Sequence, residues 1–158
     1  SGGDTWFMLT ADYAFGHQLE RDVTGFVQRA GGRVLGAARF PFPGTTDFSS
    51  FLVQAQASRA KVVGLATAAQ DTVNAIKQAH EFGLTRRGQQ LAGLVMFITD
   101  IHAIGLETAQ GLIMSEVFYH DLNDRTRGLA RRILRRTPTN MPNQEHAGTY
   151  SCAIHYLK

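Results

Sequence analysis

The stretch Thr5-Trp6-Phe7-Met8-Leu9-Thr10 is a short, bulky and nearly continuous apolar run. Such a run is typical of a β-strand that is buried on both faces. After it, apolar residues recur at helical spacing from Leu19 to Ala30, and Gly31-Gly32 predicts the end of that helix. A strand followed by a helix is therefore the first structural unit that the sequence predicts.

This unit recurs along the chain. The sequence predicts a second strand over 33–39 and a second helix, which Thr45 or Thr46 is expected to cap. The residues expected to bury this helix are Phe48, Phe51, Leu52 and Ala55. A third strand is predicted over 61–66, and its helix is closed by Gly83.

Two further extended segments are predicted over 91–98 and 111–119, with about one helical turn around 101–108 between them. Strands that alternate with helices of roughly 10–15 residues imply right-handed crossovers and a parallel sheet. The predicted fold class is therefore α/β, a parallel sheet flanked by helices.

The last part of the chain has a different pattern. An Arg-rich helix is predicted over 123–137, a break over 138–142 and a final helix over 144–158. The final helix is expected to bury Ala147, Tyr150, Ile154 and Leu157. Because two helices without a clear strand between them do not continue the alternation, we predict a boundary near 116–121.

Composition excludes several classes of protein. The 158 residues are 44% hydrophobic, which is too apolar for a disordered chain, and no run is long enough to cross a bilayer. The single cysteine, Cys152, excludes an internal disulfide framework and a cysteine-based zinc site. The net charge of +3 is local, because residues 121–158 carry 7 basic and 3 acidic side chains. No aromatic residues interleave with those arginines, so we expect no nucleic-acid partner.

Catalytic and metal-binding patterns are weak. Ser49-Ser50 lacks the Gly-x-Ser-x-Gly elbow, and no phosphate-binding glycine loop follows a strand. Asp100 and His102 lie two residues apart in a predicted loop, a spacing that chance explains better than a shared metal ion. We therefore expect no enzyme, no metal and no cofactor. An enzyme on a flavodoxin-like sheet that uses Asp100 and His102 is the less favoured alternative.

Polar and aromatic residues follow the carboxyl ends of the predicted strands, where open parallel sheets bind ligands. Together they suit a small polar molecule with an apolar part. The candidates are Asp12, Tyr13, Phe15, Thr45, Thr46, Thr67, Asp71, Thr99, Asp100 and His102. For Asp71, a purely structural role in a first helical turn is the commoner alternative. Asp100 and His102 follow a strand directly and have no obvious helix to cap.

Four segments together resemble one family: 9–16 (LTADYAFG), 46–52 (TDFSSFL), 75–84 (AIKQAHEFGL) and 147–151 (AGTYS). They are similar to the solute-binding proteins of ABC importers for branched-chain amino acids and amides, which are type I periplasmic binding proteins. The resemblance covers nearly the whole chain in the right order. It implies a non-catalytic periplasmic receptor that closes on its ligand by hinge motion, with an ABC permease as partner and no cofactor.

The resemblance also implies how the chain divides. Residues 1–117 resemble most of the second ligand-binding lobe, and 118–158 resemble the hinge crossing and the helices that return to the first lobe. On that basis the chain is an incomplete receptor, and apolar surface around Tyr150, Ile154 and Leu157 is expected to promote self-association.

Ligand contacts are carried over by position. The aromatic contact, usually tyrosine, is Phe15, and a second aromatic contact falls at Ala68. The acid that holds a ligand amine falls near Asp100, and a contact from the other lobe falls near Glu145 or His146. The loss of a hydroxyl at Phe15 and of bulk at Ala68 favours a ligand larger than leucine, such as an aromatic acid.

The ligand-binding residues expected from both lines of reasoning are Tyr13, Phe15, Thr67, Ala68, Asp71, Thr99, Asp100 and His102. Two alternatives keep the same fold. The protein could be the ligand-sensing domain of a receptor or regulator, or this chain could lack a competent site by itself because half of the pocket is absent.

Overall fold

The apolar run near the start of the chain forms an inner strand of a parallel sheet. The computed structural model describes residues 2–137 and 141–157. Its strands are β1 (Thr5–Ala11), β2 (Arg33–Phe40), β3 (Val62–Ala66), β4 (Gln90–Gly93) and β5 (Ile113–Met114). Its α-helices are α1 (Ala14–Arg29), α2 (Ser49–Ala57), α3 (Ala69–Glu81), α4 (Ile98–Ile104), α5 (Asp124–Leu134) and α6 (Gln144–Tyr156).

The five strands are parallel and lie in the order β2-β1-β3-β4-β5. In β1, Leu9 pairs with Ala38 of β2 on one side and with Leu65 of β3 on the other. The predicted α/β class with a parallel sheet flanked by helices is therefore confirmed.

The sheet and its helices enclose an apolar core. Met8, Leu9, Leu65 and Ile76 are fully buried. Phe40, the last residue of β2, packs edge-on against Phe48, with ring centroids 4.9 Å apart. This core fixes the ends of the strands, from which the site loops emerge.

The chain divides into two compact units. The sheet unit contains the chain up to Met96 together with Ile104–Ser115, and the helical unit contains Phe97–Ala103 together with the chain from Glu116 onward. The sheet unit holds all five strands with α1, α2 and α3, and the helical unit holds α5, α6 and most of α4.

The start of α2 differs from the prediction. Neither Thr45 nor Thr46 caps this helix, which begins at Ser49 after Phe48. The carboxylate of Asp47 accepts a hydrogen bond from the backbone N–H of Ser49 at 2.8 Å. The carbonyl oxygens of Thr45 and Thr46 instead accept hydrogen bonds from α3 side chains, so this segment is extended along α3.

The fourth and fifth strands are shorter than predicted. β4 ends at Gly93 because Met96 folds back over that glycine, where a side chain would collide with the Met96 sulfur. The apolar residues after Met96 lead into α4 and do not extend the strand. β5 has only two residues, and they pair with Ala92 and Gly93 of β4.

The prediction that α6 buries an apolar face is wrong for the described residues. Tyr150 and Ile154 are 40% and 38% exposed, and Leu157 is 81% exposed. Ala147 is half-buried, and no residue of α6 is fully buried. The packing partners that the apolar spacing requires are therefore not supplied by the helical unit.

Candidate ligand-binding site

The strand order places a topological switch point between β1 and β3. From β1 the chain leads through α1 to β2 on one side, and from β2 it crosses back through α2 to β3 on the other. Thr10 of β1 and Ala66 of β3 are paired at this point. In open parallel sheets, ligands bind outside the carboxyl ends of the strands at such a point.

The loop from β1 to α1 is tightly held. The backbone N–H of Asp12 donates to the carbonyl oxygen of Phe40 at 2.8 Å, which ties the loop to the end of β2. The carboxylate of Asp12 also lies 2.7 Å from Nε2 of His17. Tyr13 is the N-cap residue of α1 but makes no capping side-chain hydrogen bond with any described residue. The first-turn N–H groups of α1 are therefore not satisfied by its cap.

Three aromatic rings lie together beside this loop. Tyr13 stacks on Phe42 with ring centroids 4.3 Å apart and an interplanar angle of 12°. Phe15 lies 6.0 Å from Tyr13 at an angle of 46°, and it is 46% exposed. The sequence prediction missed Phe42, which lies two residues after the end of β2.

The loop from β3 to α3 presents small and polar groups. Thr67 is fully buried, and its Oγ1 atom has no hydrogen-bond partner among the described residues. Ala68, the N-cap of α3, has no side chain that could cap the helix. Ala69 adopts a left-handed φ of 56°, which is strained for a residue with a Cβ. Strain of this kind is concentrated at functional sites.

Asp71 is directed at the protein's own backbone. It is 3% exposed, and both of its carboxylate oxygens lie 3.2 Å from the backbone nitrogen of Gly44, which donates the hydrogen bond. The same face of α3 carries two further contacts that the sequence analysis missed. The amides of Asn74 and Gln78 donate to the carbonyl oxygens of Thr45 and Thr46 at 3.4 and 2.7 Å.

Gln78 makes a second bond, because its Oε1 accepts from the backbone N–H of Phe48 at 2.8 Å. Asp71, Asn74 and Gln78 have the spacing i, i+3 and i+7, which places them on one helical face. That spacing was the signal available in the sequence. The three side chains fasten the segment 44–48 along α3.

The remaining candidates lie in the helical unit. Thr99, Asp100 and His102 belong to α4, so the expected loop is wrong there. The carboxylate of Asp100 accepts from the backbone N–H of Phe97 at 2.9 Å, and it therefore does have a helix start to stabilise. Thr99 Oγ1 accepts from Asn143 Nδ2 at 3.4 Å. His102 is exposed.

Asn143 is the residue that directly precedes α6. Its Oδ1 accepts from the backbone N–H groups of Glu145 and His146, which both lie in the first turn of that helix. Glu116, in the same unit, is half-buried, and burial raises its pKa despite the nearby backbone of Ile98 and Gln144, which favours the ionised form.

The eight predicted site residues are thus divided between the two units. Tyr13, Phe15, Thr67, Ala68 and Asp71 all follow β1 or β3 in the sheet unit, whereas Thr99, Asp100 and His102 lie in the helical unit. Among the described residues, no cluster of three or more His, Cys, Asp or Glu side chains has the geometry of a metal site. Within the same ranges, no helix has the length and apolar character that crossing a membrane requires.

Comparison with protein families identifies the fold. A family model described as periplasmic binding protein matches residues 1–158. A comparison with curated proteins gives no significant match.

Solved structures match at high similarity. A periplasmic binding protein from Burkholderia mallei is 50% identical with a TM-score of 0.88, over 96% of this chain and 40% of that chain. A branched-chain amino acid ABC transporter periplasmic ligand-binding protein from Burkholderia xenovorans LB400 is 37% identical with a TM-score of 0.87, over 99% of this chain and 41% of that chain.

A solute-binding protein of an ABC transporter from R. palustris, solved in complex with 4-hydroxybenzoate, is 26% identical with a TM-score of 0.61. The match covers 66% of this chain and 29% of that chain. The chain spans about two fifths of the length of the two Burkholderia structures. The B. xenovorans and R. palustris relatives are ligand-binding components of ABC transporters, a class that binds small molecules and catalyses no reaction. The chain belongs to the periplasmic binding protein family.

Proposed function

We propose that the protein containing this chain is the periplasmic solute-binding component of an ABC importer, and that its ligand is a small carboxylate with an aromatic body. The observation that carries the proposal is the composition of the switch point. Two aromatic rings, of which Phe15 is exposed, follow β1. A hydroxyl without a partner among the described residues and a helix start without a side-chain cap follow β3.

The polar half of the ligand is the carboxylate. The N-termini of α1 and α3 offer backbone N–H groups and the positive end of the helix dipole, both of which favour an anion. Thr67 adds a buried Oγ1 without a partner among the described residues. A bound carboxylate would satisfy these donors, which otherwise lose hydrogen-bonding free energy.

The apolar half is the ring. Phe15 provides an aromatic surface without a hydroxyl, and Ala68 leaves space where the family has a second aromatic contact. A planar ligand ring supplies that missing surface. The R. palustris relative, described in complex with 4-hydroxybenzoate, supports an aromatic carboxylate as the ligand class.

The mechanism is closure of two lobes around the ligand. The ligand shifts the equilibrium toward the closed state only by the contacts that it makes there and not in the open state. The permease then recognises the closed shape. In this proposal, residues 1–117 belong to the second lobe and residues 118–158 to the hinge crossing and the first lobe. Thr99, Asp100 and His102 stay candidate contacts on the strength of the family resemblance.

The test is thermal unfolding and calorimetric titration of the full-length protein. Benzoate and 4-hydroxybenzoate are expected to raise the melting temperature, because a ligand that binds only the folded state stabilises it. Benzyl alcohol, which lacks the carboxylate, is expected to have no effect. Stabilisation by leucine or valine but not by the aromatic acids would show that the ligand assignment is wrong.

A matched pair of variants locates the site. Phe15→Ala is expected to weaken benzoate binding by about fivefold or more, since an aromatic pair contributes about 1 kcal/mol beyond its buried area. Phe26→Ala removes an equally aromatic side chain that is 65% exposed on the same helix, and it is expected to leave the affinity unchanged. Equal losses in both variants would contradict the proposed site.

Expressed alone, the 158-residue chain is expected to associate with itself. Tyr150, Ile154 and Leu157 of α6 are exposed, and apolar surface of this kind promotes association. Sedimentation at high protein concentration checks this expectation. A single monomeric species would contradict it.

A further inference from the structure

Phe42 occupies an unusual position for a phenylalanine. It is half-buried, lies between Pro41 and Pro43, and stacks almost parallel to Tyr13 at 4.3 Å. The buried core contact after β2 is made by Phe40 and Phe48, so Phe42 is not needed to fill the core. Its ring instead covers one face of Tyr13 at the carboxyl edge of β1.

The chain on both sides of Phe42 is anchored. Before it, the carbonyl oxygen of Phe40 accepts from the backbone N–H of Asp12, in the same loop as Tyr13. After it, the backbone N–H of Gly44 donates to both oxygens of the buried Asp71 carboxylate. Gly44 has a φ of +98°, a conformation that other residues rarely adopt, so the path of the chain at this point depends on glycine.

We infer that Phe42 is a specificity-determining residue of the ligand site, because its ring holds the Tyr13 ring in a fixed orientation. Asp71 is the positioning residue, since its hydrogen bond to Gly44 holds the segment that carries Phe42. This inference rests on the proposed function and adds the source of its selectivity. Tyr13, Phe15 and Phe42 together form an aromatic wall, and a fixed wall of flat rings favours a planar ligand over a puckered one of equal size.

The inference explains why a buried carboxylate lies at this position. Asp71 has no salt-bridge partner among the described residues, and its hydrogen bonds go to a single backbone N–H group. A buried carboxylate is costly unless it is well paired. The buried carboxylate fixes the loop between β2 and α2, and this loop places the Phe42 ring at the switch point, where most residues of the proposed site lie.

The experiment compares two ligands of nearly equal size in the full-length protein. Benzoate is planar, whereas cyclohexanecarboxylate carries the same charge on a puckered ring. The selectivity is the ratio of their dissociation constants, measured by calorimetry. Phe42→Leu is expected to lower this selectivity about fivefold to tenfold, mostly by weakening benzoate binding. Phe42→Tyr keeps a flat ring and is expected to retain the selectivity.

Asp71 is tested with a conservative pair. Asp71→Asn keeps one acceptor oxygen for Gly44 and is expected to retain most of the selectivity. Asp71→Ala removes both acceptors and is expected to reduce the selectivity towards that of Phe42→Leu. Phe26→Leu serves as the control, because Phe26 is an exposed aromatic residue outside the wall.

The outcomes separate the two proposals. Suppose that the unmodified protein binds benzoate. If Phe42→Leu then weakens the binding of benzoate and cyclohexanecarboxylate equally, or changes the binding of neither acid, the inference is wrong while the proposed function stands. If unmodified protein binds neither acid, both are wrong. If Asp71→Ala fails to fold, the inference is still tested by Phe42→Leu and Phe42→Tyr. Phe42 is half-buried and lies outside the core, so both variants are expected to fold.

Discussion

Both carboxylate oxygens of Asp71 lie 3.2 Å from the backbone nitrogen of Gly44, 27 residues earlier in the chain. This relationship fixes the loop between β2 and α2 against α3. The structural role considered for Asp71 from the sequence was a different one, in the first turn of a helix, and did not include this hydrogen bond to Gly44. A direct contact between Asp71 and ligand stays a prediction.

Gln78 is expected to be the strongest single support of this loop. Its side-chain NH2 group donates to the carbonyl oxygen of Thr46, and its Oε1 accepts from the backbone N–H of Phe48. Gln78→Ala removes both hydrogen bonds and leaves the N–H group of the buried Phe48 without its partner. We expect a loss of about 2 kcal/mol in the free energy of unfolding, measured by urea denaturation. Lys77→Ala, at the exposed neighbouring position, is the control. Equal effects of the two substitutions would contradict the assignment.

The junction of β1 and α1 depends on a glycine. A Cβ atom at Gly16 would overlap the backbone carbonyl oxygen of Ala11, so Gly16→Ala must displace the loop that carries Tyr13. We expect it to destabilise the protein by about 2 kcal/mol.

Gly25→Ala in the same helix is the matched control. Its Cβ would meet only the mobile end of the Arg29 side chain, and the substitution is expected to stabilise by up to about 1 kcal/mol, because alanine favours helix. Thermal unfolding of both variants decides the matter, and the prediction is wrong if Gly16→Ala is as stable as Gly25→Ala.

Glu20 is expected to stabilise the protein at neutral pH. Burial alone would raise its pKa, but the Arg39 guanidinium, which donates to Glu20 Oε1 at 3.2 Å, and the neighbouring Thr10 hydroxyl outweigh that effect and leave the pKa below its ordinary value of 4.5. A lowered carboxyl pKa gives stability that is present above about pH 4.5 and is lost as the pH falls through the folded-state pKa. Glu20→Gln is therefore expected to cost about 1 kcal/mol at pH 7 and progressively less below pH 4. A pH-independent cost, measured by urea unfolding, would refute this.

Glu116 is expected to show the opposite pH dependence. Burial is the main cause of its raised pKa, and the nearby charge of Asp100 adds to it. Because the folded state disfavours the ionised form, stability falls as the pH rises above the ordinary value of 4.5. Glu116→Gln is expected to gain on the order of 0.5 kcal/mol at pH 7, a value that allows for partial exposure, and nothing at pH 4. Glu107→Gln, at an exposed glutamate, is the control, and a loss of stability at pH 7 would contradict the prediction.

The first three strands could be predicted because each is a short segment whose own residue pattern is typical of a β-strand. Val62 to Ala66 is apolar and buried on both faces, as its sequence indicates. The fourth strand was extended too far because the apolar run continues through Met96, and a short apolar run does not distinguish a strand from a turn and helix. The turn at Gly93 is set by packing of Met96, which a local pattern does not contain.

The site was predicted in part for the same reason. Tyr13, Phe15 and Thr67 became candidates because they follow strands, and that rule depends only on the order of elements. Phe42 was missed because its flanking prolines indicate a chain break and nothing more. Its significance comes from Tyr13 and from Asp71, which are distant in sequence, and pairings of that kind are visible only in the folded chain.

The position of β1 between β2 and β3 has a consequence for biosynthesis. One side of β1 can pair with β2 once Phe40 has been synthesised, but the other side can pair with β3 only after residues 62–66 have been added. Until then the seven residues TWFMLTA present an open, largely apolar strand edge, which is a template for intermolecular pairing. A truncated product that ends between Phe40 and Val62 is therefore expected to aggregate, whereas one that includes Ala66 has the partner strands for both sides of β1.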